Sequence, residues 1–140
     1  MIPISTSSVS PVITPPKGRH RHRAAVDRLL ASYRAIPPGV AVRLAKRTSN
    51  LFRPRAGGAV HGLDVQDLDG VIAVDPQTRI AEVQGMCTYE PLVGATLRHG
   101  LMPTVVPQLK TITLGGAVTG LGIESSSFRL GLPHESVTEL

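Results

Sequence analysis

From Arg23 to Arg34 the chain reads RAAVDRLLASYR, and Ala25, Leu29, Leu30 and Tyr33 recur at a helical spacing. Pro37-Pro38-Gly39 ends that helix. Val40 to Leu44 alternates apolar and polar positions as a short strand does, and a polar turn follows from Lys46 to Asn50. Leu51-Phe52-Arg53 then leads to a break at Gly57-Gly58. The clearest pattern is a hairpin between Leu68 and Gln84. Val71 to Val74 is apolar, Asp75-Pro76-Gln77-Thr78 carries turn chemistry, and the return strand sets Ile80 and Glu82 against Ala81 and Val83. Thr88 is placed to cap a helix over Tyr89 to His99, with Gly100 where a left-handed residue belongs. Leu101 to Val106 reads as extended, and Glu135 to Leu140 as the opening of a strand that then stops. Strand, hairpin, helix and strand in this order predict an α+β fold.

Size and composition narrow the class. One domain with a modest core fits 140 residues. With 3% aromatic residues and no Trp, that core must come from Val, Leu, Ile and Ala. Residues 1–18 are rich in Ser, Thr and Pro without periodicity, so 1–22 is expected to be a disordered basic arm and 23–140 the folded domain. No apolar run is long enough to span a membrane, and no secretory leader is evident. A single Cys excludes an internal disulfide framework. The cytoplasm is the default location, and the abrupt ending suggests a piece of a longer protein.

The net charge of +5 is concentrated at Lys17-Gly-Arg-His-Arg-His-Arg23. Such a block suits phosphates or anionic lipid, so membrane association stays open. Nucleic acid is not an expected partner, because aromatic residues for stacking and any nucleic-acid motif are missing.

Candidate chemistry centres on Pro103 to Pro133, where Gly115, Gly116, Gly120, Gly122 and Gly131 alternate with hydroxyl-bearing residues. Glycines in this density let a backbone press against a ligand, and the hydroxyls and N–H groups suit an oxygen-rich anion such as a pyrophosphate. Within the run, Ile112, Leu114 and Val118 are expected to face the core by alternation. The Lys46–Asn50 turn offers a second anion site through its backbone and cations. His20 and His22 sit in a cationic block that opposes metal binding, and no Cys/His spacing fits zinc. Cys87 precedes a helix N-terminus that would lower its pKa, although a buried, inert thiol is the commoner case. Glu124 is the one carboxylate inside the glycine-rich run.

The wording VVPQLKTITLGGAVTGLGIESSSFRLGL resembles the flavin-binding segment of FAD-linked oxidases of the vanillyl-alcohol oxidase and p-cresol methylhydroxylase (PCMH) type. Val106-Pro107-Gln108-Leu109, Thr113 with Gly115 and Gly116, Gly122 to Ser127, and Gly131 look most like the Δ24-sterol reductase-like branch. The resemblance implies a PCMH-type FAD-binding domain of two small β-rich subdomains flanked by helices, truncated at its C-terminus before a substrate cap. It implies that Pro107, Thr113, Gly115, Gly116, Thr119, Gly120, Gly122, Ser125, Ser126 and Ser127 line the FAD. Thr48, Ser49 and Asn50 match the pyrophosphate loop by position, without the glycines usual there. His61, His99 and His134 do not match a flavin-tethering position, so the FAD is expected to be non-covalent. The branch further implies a lipid- or sterol-like substrate and NADPH as hydride donor, with no catalytic residue assignable in this stretch. The alternative is a non-catalytic fragment, or a phosphate- or nucleotide-binding module with a basic tail.

Overall fold

Helix α1 begins earlier than its apolar residues do. In the computed structural model, which describes residues 17–46 and 61–140, α1 spans Lys17–Arg34 and takes up the basic block expected to be part of an arm. Three tertiary contacts hold this first half. Gly18 lies so close to β3 (Val71–Asp75) that a Cβ there would sit 3.0 Å from the Ile72 carbonyl oxygen. The Gln84 amide nitrogen lies 3.1 Å from His22 Nδ1, and Arg19 pairs with Glu82 at 2.7 Å. Gly18, His22, Ala25, Val26, Leu29 and Ser32 share the inward face at helical spacing, with Ala25 fully buried. Leu30, expected on that face, lies further round the helix and is 41% exposed, whereas Tyr33 keeps the spacing of Val26 and Leu29 but is 56% exposed near the end of α1.

Strands β1 (Val42–Ala45) and β2 (His61–Asp64) form a parallel pair, Val42 opposite His61 through Ala45 opposite Asp64. A parallel pair needs a long crossover. Residues 47–60 of that crossover lie outside the described residues, and with them most of the Lys46–Asn50 turn, Leu51-Phe52-Arg53 and Gly57-Gly58.

The hairpin forms as expected from β3 and β4 (Ile80–Val83), antiparallel, with a register shift between Val71 and Ala73. Asp75 organises its turn by accepting the N–H groups of Gln77 and Thr78 at 2.8 and 3.3 Å. The Thr78 hydroxyl, then these two N–H groups, hold the Asp75 carboxyl below its ordinary range. Ala81 and Val83 pack inward while Ile80 is exposed, which is the expected period of two.

Helix α2 (Tyr89–Leu97) starts at the expected cap, but the Thr88 side chain makes no capping bond; its backbone bridges Thr113 instead. The end is a Schellman arrangement. Gly100 takes φ +67°, its N–H donates to the Leu97 carbonyl, and Leu101 N–H donates to the Thr96 carbonyl. The core unites Cys87, Tyr89, Leu92 and Ala117 with Val71, Ala81, Val83, Val106, Ile112 and Leu114.

Two expected strands are not formed. Leu101 to Val106 runs as a loop; Pro103 and Pro107 each remove a backbone donor from that stretch. Pro133–Ser136 forms a 3₁₀ turn, closed by the Ser136 hydroxyl on the Pro133 carbonyl at 2.7 Å, and Val137 to Leu140 is irregular. The two small sheets and their flanking helices make a mixed α+β fold.

Candidate functional site

The glycine-rich run is helical where it was expected to alternate. Helix α3 covers Leu114–Thr119, capped by Thr113, whose Oγ1 accepts the Gly116 N–H at 3.1 Å. Helical spacing buries Thr113 and Ala117, so Ala117 takes the inward place expected of Val118, while Ile112 and Leu114 pack on the core as expected. Segment 85–90 lies against 110–115 through four backbone bonds. Tyr89 and Glu90 N–H donate to the carbonyls of Ile112 and Lys110; Leu114 and Gly115 N–H donate to those of Cys87 and Gly85, both at 2.8 Å. A Lys110–Glu90 ion pair of 2.6 Å closes the outer edge.

This packing gives the glycines a task that the sequence reading assigned to a ligand. A Cβ on Gly115 would stand 2.8 Å from the Gly85 carbonyl oxygen, and one on Gly116 would stand 2.8 Å from Thr113 Oγ1. A Cβ on Gly120 would meet the Gly116 carbonyl at 2.7 Å. All three admit the chain's own atoms. Gly85, whose carbonyl receives Gly115, was not singled out from the sequence, because a lone glycine after a strand looks like any turn.

Beyond α3 the chain turns outward. Leu121 adopts φ +49°, and Gly122 N–H returns to the Ala117 carbonyl at 3.0 Å. Ser126 precedes helix α4 (Ser127–Leu130), and Ser127 Oγ accepts the Glu124 N–H at 3.0 Å. Glu124 Oε2 in turn accepts the Gln108 N–H at 3.3 Å, so this carboxylate joins the Pro107 loop to the serine run. The Thr119 hydroxyl donates to the Gly115 carbonyl at 2.7 Å. Ser125 and Ser126 make no side-chain hydrogen bond among the described residues, and Ile123 and Phe128 beside them are 77% and 91% exposed. Pro107, Thr113, Gly115, Gly116, Thr119, Gly120, Gly122 and the three serines thus fall within one continuous stretch joined by the Glu124–Gln108 and Gly122–Ala117 contacts. Thr48, Ser49 and Asn50 lie outside the described residues.

Cys87 is fully buried, and its environment reverses the effect expected of a helix N-terminus. Burial first, and the Asp69 charge second, push the thiol up to about 11. Burial likewise raises Tyr89, with Glu124 adding to it. Among the described residues no group of three His, Cys, Asp or Glu side chains is arranged to hold a metal ion. A depression of about 220 Å³ between α1 and residues 64–68 shares no lining residue with the glycine-rich run. It is smaller than the usual cofactor cleft.

A family described as "FAD binding domain" matches residues 34–140. The chain belongs to that family, and with it the PCMH-type expectation and the mixed α+β architecture hold. Among relatives, it is 29% identical to the Δ24-sterol reductase of Pisum sativum over 75 residues, 54% of this chain and 13% of that protein. The Δ24-sterol reductase of Homo sapiens is 33% identical over 66 residues, 47% of this chain and 13% of that protein. Decaprenylphosphoryl-β-D-ribose oxidase of Mycolicibacterium smegmatis is 31% identical over 80 residues, 57% of this chain and 17% of that protein. The aligned parts therefore span less than a fifth of these relatives' own length. No solved structure matches.

Proposed function

We propose that this chain is the FAD-binding portion of a flavin-dependent oxidoreductase that acts on a lipid- or sterol-like substrate. The observation that carries the reading is the family match over residues 34–140, which includes the whole glycine- and serine-rich run. The donor set fits the group. Ser125 and Ser126 keep their hydroxyls unengaged among the described residues, beside exposed apolar Ile123 and Phe128. That mixture suits a flat cofactor with a polar edge and apolar faces. Pro107, Thr113, Gly115, Gly116, Gly120 and Gly122 shape the backbone under these groups, and Thr119 and Ser127 fix it through their own bonds. Thr48, Ser49 and Asn50, in the stretch after β1, serve the pyrophosphate. When bound, the flavin supplies hydride chemistry, and the protein's part is to bind and orient it. The FAD is held without a covalent tether, and NADPH serves as donor. Two relatives named for a sterol and for a decaprenyl-phosphoryl sugar support the substrate class.

The test is retention of added FAD through desalting, read from the visible flavin bands. The wild-type chain is expected to stay yellow and to release its flavin on acid precipitation. Replacing both Ser125 and Ser126 by Ala should weaken affinity roughly 30-fold while leaving stability unchanged, since each lost hydrogen bond is worth about 1 kcal/mol. Colourless wild-type protein would sink the proposal and leave a non-catalytic module. Flavin that precipitates with the acid-treated protein would overturn the non-covalent part.

A further inference from the structure

Charge is divided unevenly along this fold. Helix α1 carries six cationic residues and one carboxylate, whereas residues 61–140 carry four cationic residues and nine carboxylates. No Asp or Glu occurs between Asp27 and Asp64. Residues 35–60 add five cations and no carboxylate, Arg43 and Lys46 among the described residues, so α1 is the most cation-rich of the described elements.

Two of its cations are engaged: Arg19 with Glu82, and Arg28 with Asp67 at 2.5 Å. Arg21, Arg23 and Arg34 are exposed and make no ion pair among the described residues. Residues 1–16 and 47–60 contain no Asp or Glu, so no carboxylate from those stretches neutralises them. The inward face is occupied by Ala25, Val26 and Leu29, so α1 lies flat on its domain. On its outward side Leu30 falls at helical spacing between Arg23 and Arg34, with exposed Asp27 on the same side; Tyr33 follows the spacing of Val26 and Leu29 but is exposed near the end of the helix.

We propose that the exposed side of α1, with Arg21 at its edge, docks the protein on an anionic lipid bilayer. Cations flanking an exposed Leu and an amphipathic Tyr match the headgroup boundary, where basic side chains meet lipid phosphates and apolar tips enter the acyl edge. The same face is poorly equipped for nucleic acid. Its sequence, KGRHRHRAAVDRLLASYR, has no Asn or Gln to read base edges, and Tyr33 is its one aromatic residue. The proposal stands on charge and exposure alone, so it does not depend on the flavin reading.

The experiment is flotation of the full chain with phosphatidylcholine vesicles, with and without phosphatidylglycerol. Binding is expected only with the anionic lipid and should fall as salt rises. Each Arg near such a surface is worth about 5-fold in affinity, so R21E/R23E/R34E should weaken binding at least about 100-fold. The control R43E/R79E/R98E makes the same change in net charge on exposed residues outside α1 and should stay close to wild type. Equal losses in the two triple variants would overturn the proposal, as would binding indifferent to phosphatidylglycerol. Displacement from vesicles by a duplex oligonucleotide at equal phosphate and ionic strength would overturn it in favour of nucleic acid. Far-UV circular dichroism checks the fold of each variant. FAD retention, followed in the same preparations, fails or succeeds separately.

Discussion

Gly115 and Gly94 make opposite predictions. At Gly115 a methyl group would meet the Gly85 carbonyl oxygen at 2.8 Å, and that carbonyl is fixed by accepting the Gly115 N–H. Gly115→Ala should therefore cost about 1–3 kcal/mol, as other overpacked sites do. Gly94 lies inside α2, and nothing stands within 4 Å of where its Cβ would be. Gly94→Ala should stabilise by about 0.5–1 kcal/mol through the helix preference of Ala. Urea titrations of the two variants without FAD check both signs. Cys87 supplies a pH dependence. Its folded thiol is raised from an ordinary 9.0 to about 11, so the folded state holds a proton that the unfolded state releases. The stabilisation is fully present below pH 9 and declines as pH rises towards 11. Unfolding free energies measured between pH 8 and about 11 should show this fall in wild type, and Cys87→Ala should lose that component. A thiol reagent at neutral pH should react with Cys87 only on unfolding.

At the scale of elements, the hairpin and α2 were legible because local chemistry and core burial agree there. Asp75 makes its turn from neighbouring atoms, and Gly100 ends α2 from a single backbone requirement. The first half of α1 was not legible. Gly, Arg and His there look unstructured by composition, and what holds them are Ile72, Glu82 and Gln84, more than fifty residues away. The glycine-rich run was legible in its residues and family likeness but not in its shape. Alternation and helix spacing both place Ile112 and Leu114 inward, and only the burial of Ala117 separates them. The docking of α1 gives the prediction at this scale. Gln84 is buried, takes the Gly70 N–H on its side-chain oxygen at 2.7 Å, and reaches His22 with its nitrogen. Gln84→Ala leaves the Gly70 donor unmatched and should cost about 1–3 kcal/mol. Proteolysis after Arg21 and Arg23 should also quicken, followed by mass spectrometry.

For the whole molecule, the separation of charge and the separation of roles run together. Nine of the ten carboxylates lie in the part that holds the core and the glycine-rich run, and six of the fifteen cations in the helix packed against it. The exposed pairs Arg19–Glu82 and Arg28–Asp67 join the two, each worth about 1 kcal/mol or less. Shape and the Gln84 bridge therefore do more than salt links to seat α1. That bridge has a spectroscopic consequence. The Gly70 N–H can only donate, so the atom it meets must be the Gln84 oxygen, and the amide nitrogen must face His22. In the neutral ring, His22 Nδ1 is then the bare, accepting nitrogen, with the ring hydrogen on Nε2. In ¹⁵N nuclear magnetic resonance this single tautomer gives two well-separated imidazole nitrogen signals, whereas a freely exchanging histidine averages towards one. The ring of His22 is thus a built-in label that reports, without any added probe, whether α1 is seated on its domain.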